Sequence, residues 1–346
     1  MRVAVAILYA LTLAGCCNQG LPAEQRYIFT SDYMADPSAH IFDGKIYIYP
    51  SHDRISDVTS PEDGAHYDMV DYHVLRMDNP QQAEADDCGM VLTVDDVPWA
   101  EKQMWDCDAA SKDGRYYMYF AAKDAGGIFR IGVAVADSPD GRFIPRQQPV
   151  EGLYSIDPAV FQDGDDYYIY FGGLQGGQLQ RWHDNELLDN DRFASAGEPA
   201  LAPRAAKLAD DMFSLESAPQ AIEILDSDGK PLTDDNPYRF FEASWMHRRG
   251  DTYYFSYSTG TTHMLCYATG NNPFGPFTFR GVLLTPVVGW TTHHSILEMD
   301  GRWYLFFHDS RLSGGKSSLR SLKIVEIFYN DDGTITTVDG GGNDQI

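Results

Sequence analysis

The sequence predicts an all-β chain folded as a five-bladed β-propeller. One supersecondary figure recurs five times, strand signals fill the intervals, and helical periodicity is scarce. The figure is a polar residue, an apolar run, a Gly-containing turn and a Tyr-rich strand. It reads DPSAHIFDGKIYIY from Asp36, DAASKDGRYYMYF from Asp108, DPAVFQDGDDYYIYF from Asp157, EASWMHRRGDTYYFSY from Glu242 and HHSILEMDGRWYLFF from His293. The turns Asp43-Gly44, Asp113-Gly114, Asp163-Gly164, Gly250-Asp251 and Asp300-Gly301 fit hairpins. Strands are expected at Lys45–Pro50, Tyr116–Ala121, Ile131–Ala136, Tyr167–Gly172, Thr252–Tyr257, Trp303–His308 and Leu319–Tyr329. The best helical candidate is short, around Arg204–Met212. From Tyr27 onward each unit has roughly 60 residues, which suits a four-stranded antiparallel blade with long loops. A pair of β-sandwiches would leave the matching polar residue ahead of each hairpin unexplained.

Radial repetition has a chemical consequence. Residues at matching repeat positions converge on the axis, so Asp36, Asp157 and Glu242 are expected to meet although far apart in sequence. Proline follows both aspartates, at Pro37 and Pro158, and biases each toward an extended backbone. Three acids suit glycosidic bond cleavage, in which an ionised carboxylate activates water and a protonated one assists the leaving oxygen. Glu242 lies among Phe240, Phe241 and Trp245, an apolar setting that raises a carboxyl pKa and favours the acid role. Asp36 suits the base role, and Asp157 is left to modulate the acid.

Asp106 and Asp108, in QMWDCDAA, are rivals that suit sugar-hydroxyl binding, Asp108 as the head of its repeat. Trp99, Trp105, Trp245 and Trp290 offer stacking faces for a sugar ring, Trp105 and Trp290 foremost. His293 and His294 are adjacent in a strand, so at most one of the two faces the axis. The segments GGLQGGQ at 172–178 and SGGKSS at 313–318 lack phosphate-loop spacing and read as turns. The acidic stretch Asp57–Asp71 lacks EF-hand spacing and reads as a solvated loop over the site.

The chain has 346 residues, 26 Lys+Arg and 51 Asp+Glu, for a formal charge of −25, which disfavours nucleic acid as a partner. Hydrophobic residues make up 43 %, enough for a substantial core. The N-terminus MRVAVAILYALTLAGCC is a short apolar run after one Arg and reads as a secretory signal. Leu13-Ala14-Gly15-Cys16 resembles a bacterial lipobox. The expected organisation is a leader at 1–15, a lipid-anchored tether at 16–26 and one propeller at 27–346. Cys17 in place of Asp favours the outer membrane. Cys88, Cys107 and Cys266 show no zinc-ligand spacing. A Cys88–Cys107 bridge and buried free thiols both remain open. Nothing in the sequence sets an oligomeric state.

These residues resemble glycoside hydrolase family 43 over nearly all of the mature chain. The markers are ADPSAHIFDGKIYIY, SIDPAVFQDGDDYYIYF, FFEASWMHRRGDTYYFSYSTG and THHSILEMDGRWYLFFHDS. The resemblance implies a five-bladed propeller and hydrolysis with inversion, with Asp36 as general base, Asp157 as pKa modulator and Glu242 as general acid. It also implies substrate contact by Arg320 and, through His293, a calcium-centred water cluster on the axis; no cofactor is needed for the chemistry. Within the family, PSHD, HYDMVDYHVLRMD and YSTGTTHMLCYATG look like the β-xylosidase and α-L-arabinofuranosidase branch. Trp105-Asp106-Cys107-Asp108 departs from the Ala-Pro-Asp of many members, and no further C-terminal β-sandwich segment is seen. The expected function is release of xylosyl or arabinofuranosyl residues from oligosaccharides. The alternatives are a non-catalytic glycan-binding propeller and a retaining fructan-active enzyme.

Overall fold

The computed structural model describes residues 24–260 and 262–342. The leader and the lipobox Cys16 lie outside the described residues. Five sheets are arranged in a ring, all antiparallel but for Ile224–Leu225, which joins the edge of the fourth in parallel, and the first strand of each main hairpin lies innermost. These strands are Met34–Phe42, Cys107–Lys112, Ala159–Asp163, Phe240–Arg249 and His294–Met299. Each touches its neighbours in cyclic order, and the fifth returns to the first. Each also forms the hairpin the sequence predicts, with its tight turn on one side of the ring.

The ring is closed by the N-terminal strand Arg26–Tyr27, which pairs with Ser321–Ile327 as the outermost strand of blade 5. Arg26 therefore belongs to the propeller and not to the tether, because its backbone is paired opposite Ile324. The Tyr27 hydroxyl donates to Asp309 across the same closure at 2.8 Å. Alternating burial fills the gaps between blades with Tyr, Phe, Val and Ile, which is why the predicted strands are so rich in those residues.

Blade 3 is the irregular sector. Its first hairpin, Ala159–Asp163 with Asp166–Phe171, is the shortest of the five, and its outer strands shrink to Arg204–Lys207 and Gln220–Ala221. The helix expected near Arg204–Met212 is a strand followed by a turn, because Arg204–Lys207 pairs with Tyr168–Phe171. The only helical pieces among the described residues are single 3₁₀ turns, two of them in 175–181. Cys88, Cys107 and Cys266 are free thiols, two of them buried, so no bridge joins Cys88 to Cys107.

Candidate active site

A cavity of about 920 Å³ opens at the axis, at the ends of the inner strands away from the hairpin turns. Asp36, Asp106, Asp157, Glu242 and His293 all line it. Four of these five sit seven positions before the first residue of their hairpin turn: Asp36 before Asp43, Asp106 before Asp113, Asp157 before Gly164 and His293 before Asp300. In blade 4 that place is held by Ala243, and β-bulges on either side of Glu242 turn the preceding carboxyl inward.

The expected extended backbone at the Asp-Pro positions is not what forms. Asp36 has φ 49° and Asp157 φ 57°, as does Ala243 at 61°. Such left-handed geometry is strained for a residue with a side chain and is held by its surroundings. Those surroundings form a relay. The Asp157 N–H donates to Asp106 Oδ1 at 2.9 Å, the Ala243 N–H donates to Asp157 Oδ2 at 2.6 Å, and the Asp36 N–H donates to His308 Nδ1 at 3.1 Å.

The acids occupy two electrostatic settings. Burial alone would raise Asp36, but Arg320, His308 and His293 hold its pKa down at about 2. Arg320 Nη1 donates to Asp36 Oδ1 at 2.8 Å. The same guanidinium grips Asp53 through Nε at 2.9 Å and Nη2 at 2.8 Å, and lies over the Tyr67 ring at 5.2 Å. These two carboxylates keep Arg320 protonated more firmly than usual. His308 is lowered to about 3, by burial first and then by Arg320, so it accepts the Asp36 N–H as a neutral ring. On the other side, burial pushes Glu242 well up, helped by the charge of Asp157. Asp157 is itself raised by burial and then by Asp106. One cavity thus holds an aspartate whose pKa is held down and a glutamate whose pKa is pushed up.

Asp106, not Asp108, is the blade 2 residue on the axis. Asp108 is fully buried and spends its carboxylate on structure. Its oxygens accept the Ala109 N–H at 2.8 Å and the Val160 N–H at 2.5 Å, and His40 Nε2 lies 2.5 Å away. It clamps blade 2 to blades 1 and 3 and does not line the cavity. The sequence signal that finds Asp106 is the count back from the turn; aligning on the first polar residue of the strand slips the register by two.

The other expected site residues divide cleanly. Trp105 lines the cavity, with Nε1 donating to Tyr67 O at 2.9 Å. Its indole fills the space beside Gly64, where a Cβ would sit 2.6 Å from it. Trp290 lies at the rim, 53 % exposed. Trp245 is core, and Trp99 stacks on Phe120 away from the cavity. His293 faces the axis, whereas His294 points into the sheets toward Ser256 Oγ at 2.6 Å. The loop at 57–71 does cover the site, contributing His66 and Tyr67 to the wall. Asp53, His308 and Thr291 were not foreseen, because each acts through contacts with residues distant in sequence that no local pattern marks.

The model for glycosyl hydrolases family 43 matches residues 87–335. The chain belongs to this family. It is 57 % identical over 322 residues to a xylosidase/arabinosidase of Bacteroides ovatus, covering 92 % of this chain and 99 % of that protein. The solved structure of RS223 β-xylosidase superposes with a TM-score of 0.91 at 54 % identity, over 92 % of this chain and 99 % of that one. CoXyl43, a β-xylosidase/α-arabinofuranosidase from a compost microbial metagenome, was solved with xylotriose in a calcium-free form; its TM-score is 0.89 at 53 % identity, over 92 % of this chain and 98 % of that one. The five-bladed propeller and the membership expected from the motifs are thereby established, and the protein is a glycosidase.

Proposed function

We propose that this glycosidase releases β-D-xylosyl or α-L-arabinofuranosyl residues from hemicellulose-derived oligosaccharides, with inversion. The observation that carries the roles is that one cavity places Asp36, gripped by Arg320 at 2.8 Å and so held low in pKa, with Glu242, which has no cationic partner among the described residues and is pushed up by burial. The names of the relatives support the pentose specificity. Asp36 takes a proton from water as the water oxygen bonds to the anomeric carbon. The glycosidic C–O bond breaks on the opposite face, and the Glu242 proton passes to the departing oxygen. Asp157 holds the Glu242 pKa up by its proximity and fixes the backbone of Ala243 beside it. Arg320 keeps Asp36 ionised and contacts the glycone. Turnover of aryl β-xyloside and aryl α-L-arabinofuranoside by the purified protein tests the substrate class. Failure with both overturns it.

We also propose a calcium ion on the axis. Asp106, Asp157 and His293 offer ligand atoms within 4.8 Å of one another. Asp106 Oδ2 and both His293 nitrogens are buried without a hydrogen-bond partner. His293 Nε2 lies 3.3 Å from Asp106 Oδ2, within ion-pair reach but misaligned for a hydrogen bond. An orphaned carboxylate oxygen with an unpartnered imidazole beside it fits a hydrated hard cation, bound through carboxylate and water oxygens with His293 reaching it through water, and its charge would offset two adjacent carboxylates. The chemistry of bond cleavage needs no cofactor. The leader motif further supports export and a lipid anchor at Cys16 on the outer membrane. Metabolic labelling with a fatty acid, abolished by Cys16→Ser, tests that placement.

A further inference from the structure

The cavity is much larger than one pentose ring, and only part of it surrounds the reacting acids. A volume of about 920 Å³ is near the upper end for sites that enclose drug-sized ligands. One wall comes from the segment 173–193 in the irregular sector of blade 3, through the stretches 174–181 and 189–193. The wall starts against the acid. Leu174 N–H donates to Phe241 O at 3.0 Å, and a Cβ on Gly173 would lie 3.2 Å from Glu242 Cβ.

The segment is tied back on itself. Leu188 N–H donates to Arg181 O at 2.7 Å and Arg192 N–H to Gln180 O at 3.0 Å. Gln180, only 4 % exposed, donates from Nε2 to Gln175 O at 3.0 Å and to Asp191 Oδ1 at 3.4 Å. These bonds hold Phe193 on the cavity wall with 51 % of its surface open, so the ring is available to a ligand in the cavity.

The position of the acid gives the wall its role. A general acid protonates the leaving oxygen, so the sugar that departs lies on the side of Glu242. We infer that the 173–193 wall is the leaving-group subsite and seats the second pyranose of a β-linked xylo-oligosaccharide against the Phe193 ring. A β-xylopyranose residue carries its substituents equatorially and has no exocyclic carbon, so both ring faces are flat and apolar enough to stack on an aromatic side chain. Gln180 ties the two stretches of the wall together through Gln175 and Asp191, and the inference rests on the acid role proposed for Glu242.

The test compares leaving groups. Wild type and Phe193→Ala are assayed on xylobiose, on xylotriose and on β-D-xylosyl fluoride, whose single-atom leaving group cannot reach the wall. Phe193→Ala is expected to lose about tenfold in kcat/KM on both oligosaccharides and to stay within about twofold of wild type on the fluoride. Phe193→Tyr, which keeps the ring, is expected to restore the oligosaccharide rates. Equal losses on all three substrates, or unchanged rates on the oligosaccharides, overturn the inference. So does a wild type that cleaves the fluoride but not xylobiose. A wild type that cleaves neither overturns the glycosidase roles instead.

Discussion

Replacing Glu242 by Gln removes the transferable proton and little else. The Glu242 carboxyl has no hydrogen-bond partner among the described residues, so the isosteric amide leaves no relay donor unsatisfied. The side chain faces the cavity and retains partial exposure there, so the fold is expected to be unaffected. General acid catalysis contributes about 10²–10⁴-fold, or about 3–5 kcal/mol of barrier. That full loss is expected on xylobiose, whose sugar leaving group departs poorly without a proton. On an aryl xyloside with a strongly acidic phenol the departing oxygen needs little help, and the loss should shrink to about tenfold or less. Steady-state rates on the two substrates, with a thermal melt of each protein, measure this directly. An equal loss on both leaving groups, with the fold intact, would refute the assignment of Glu242 as proton donor.

Further outcomes follow from the same geometry. The base must be ionised and the acid protonated; Asp36 has its pKa depressed to about 2, so activity should persist into strong acid and fall only as pH drops toward that value. Glu242 is raised, so activity should extend above the ordinary carboxylate range and fall as pH rises through that raised value. Arg320→Lys keeps a charge but loses the fork that spans Asp36 and Asp53, and a pH profile of kcat/KM should show its acid limb displaced upward. Asp108→Asn should lower stability by about 1–3 kcal/mol in urea unfolding while kcat stays near wild type, because that carboxylate clamps blades and touches no substrate. Calcium titrated calorimetrically into metal-free protein should bind, and Asp106→Asn should weaken binding about tenfold or more; equal affinity in both would remove the axial site.

The five hairpins were legible because each combines a tight turn with a Tyr-rich strand, two local signals that reinforce one another. Asp36 and Asp157 were legible as matching positions in that repeat, whereas Glu242 stands one residue before the matching place, held by Ala243, and was legible as the polar residue that heads its repeat in an aromatic setting. Asp106 was obscured by its neighbour two residues on, since period-two alternation puts Asp106 and Asp108 on the same face of the strand and sequence type cannot separate them. What separates them is the hairpin register and the tight packing that engages Asp108. The left-handed backbone at Asp36 and Asp157 ran against the local preference before proline, and is sustained by contacts to His308 and Asp106 on other blades. Blade 3 was least legible. Its outer strands are only four and two residues long, too short for periodicity to register. The wall at 173–193 is set by hydrogen bonds between segments and by packing beside Glu242, neither of which leaves a mark in a linear pattern.

The stereochemistry of the first sugar released tests the division of labour between Asp36 and Glu242 most directly. Proton NMR of a fresh digest of a β-xyloside, read before mutarotation, should show α-xylose first, as direct attack by a water activated at Asp36 requires. β-Xylose as the first product would place a covalent sugar–enzyme intermediate on the path and contradict it.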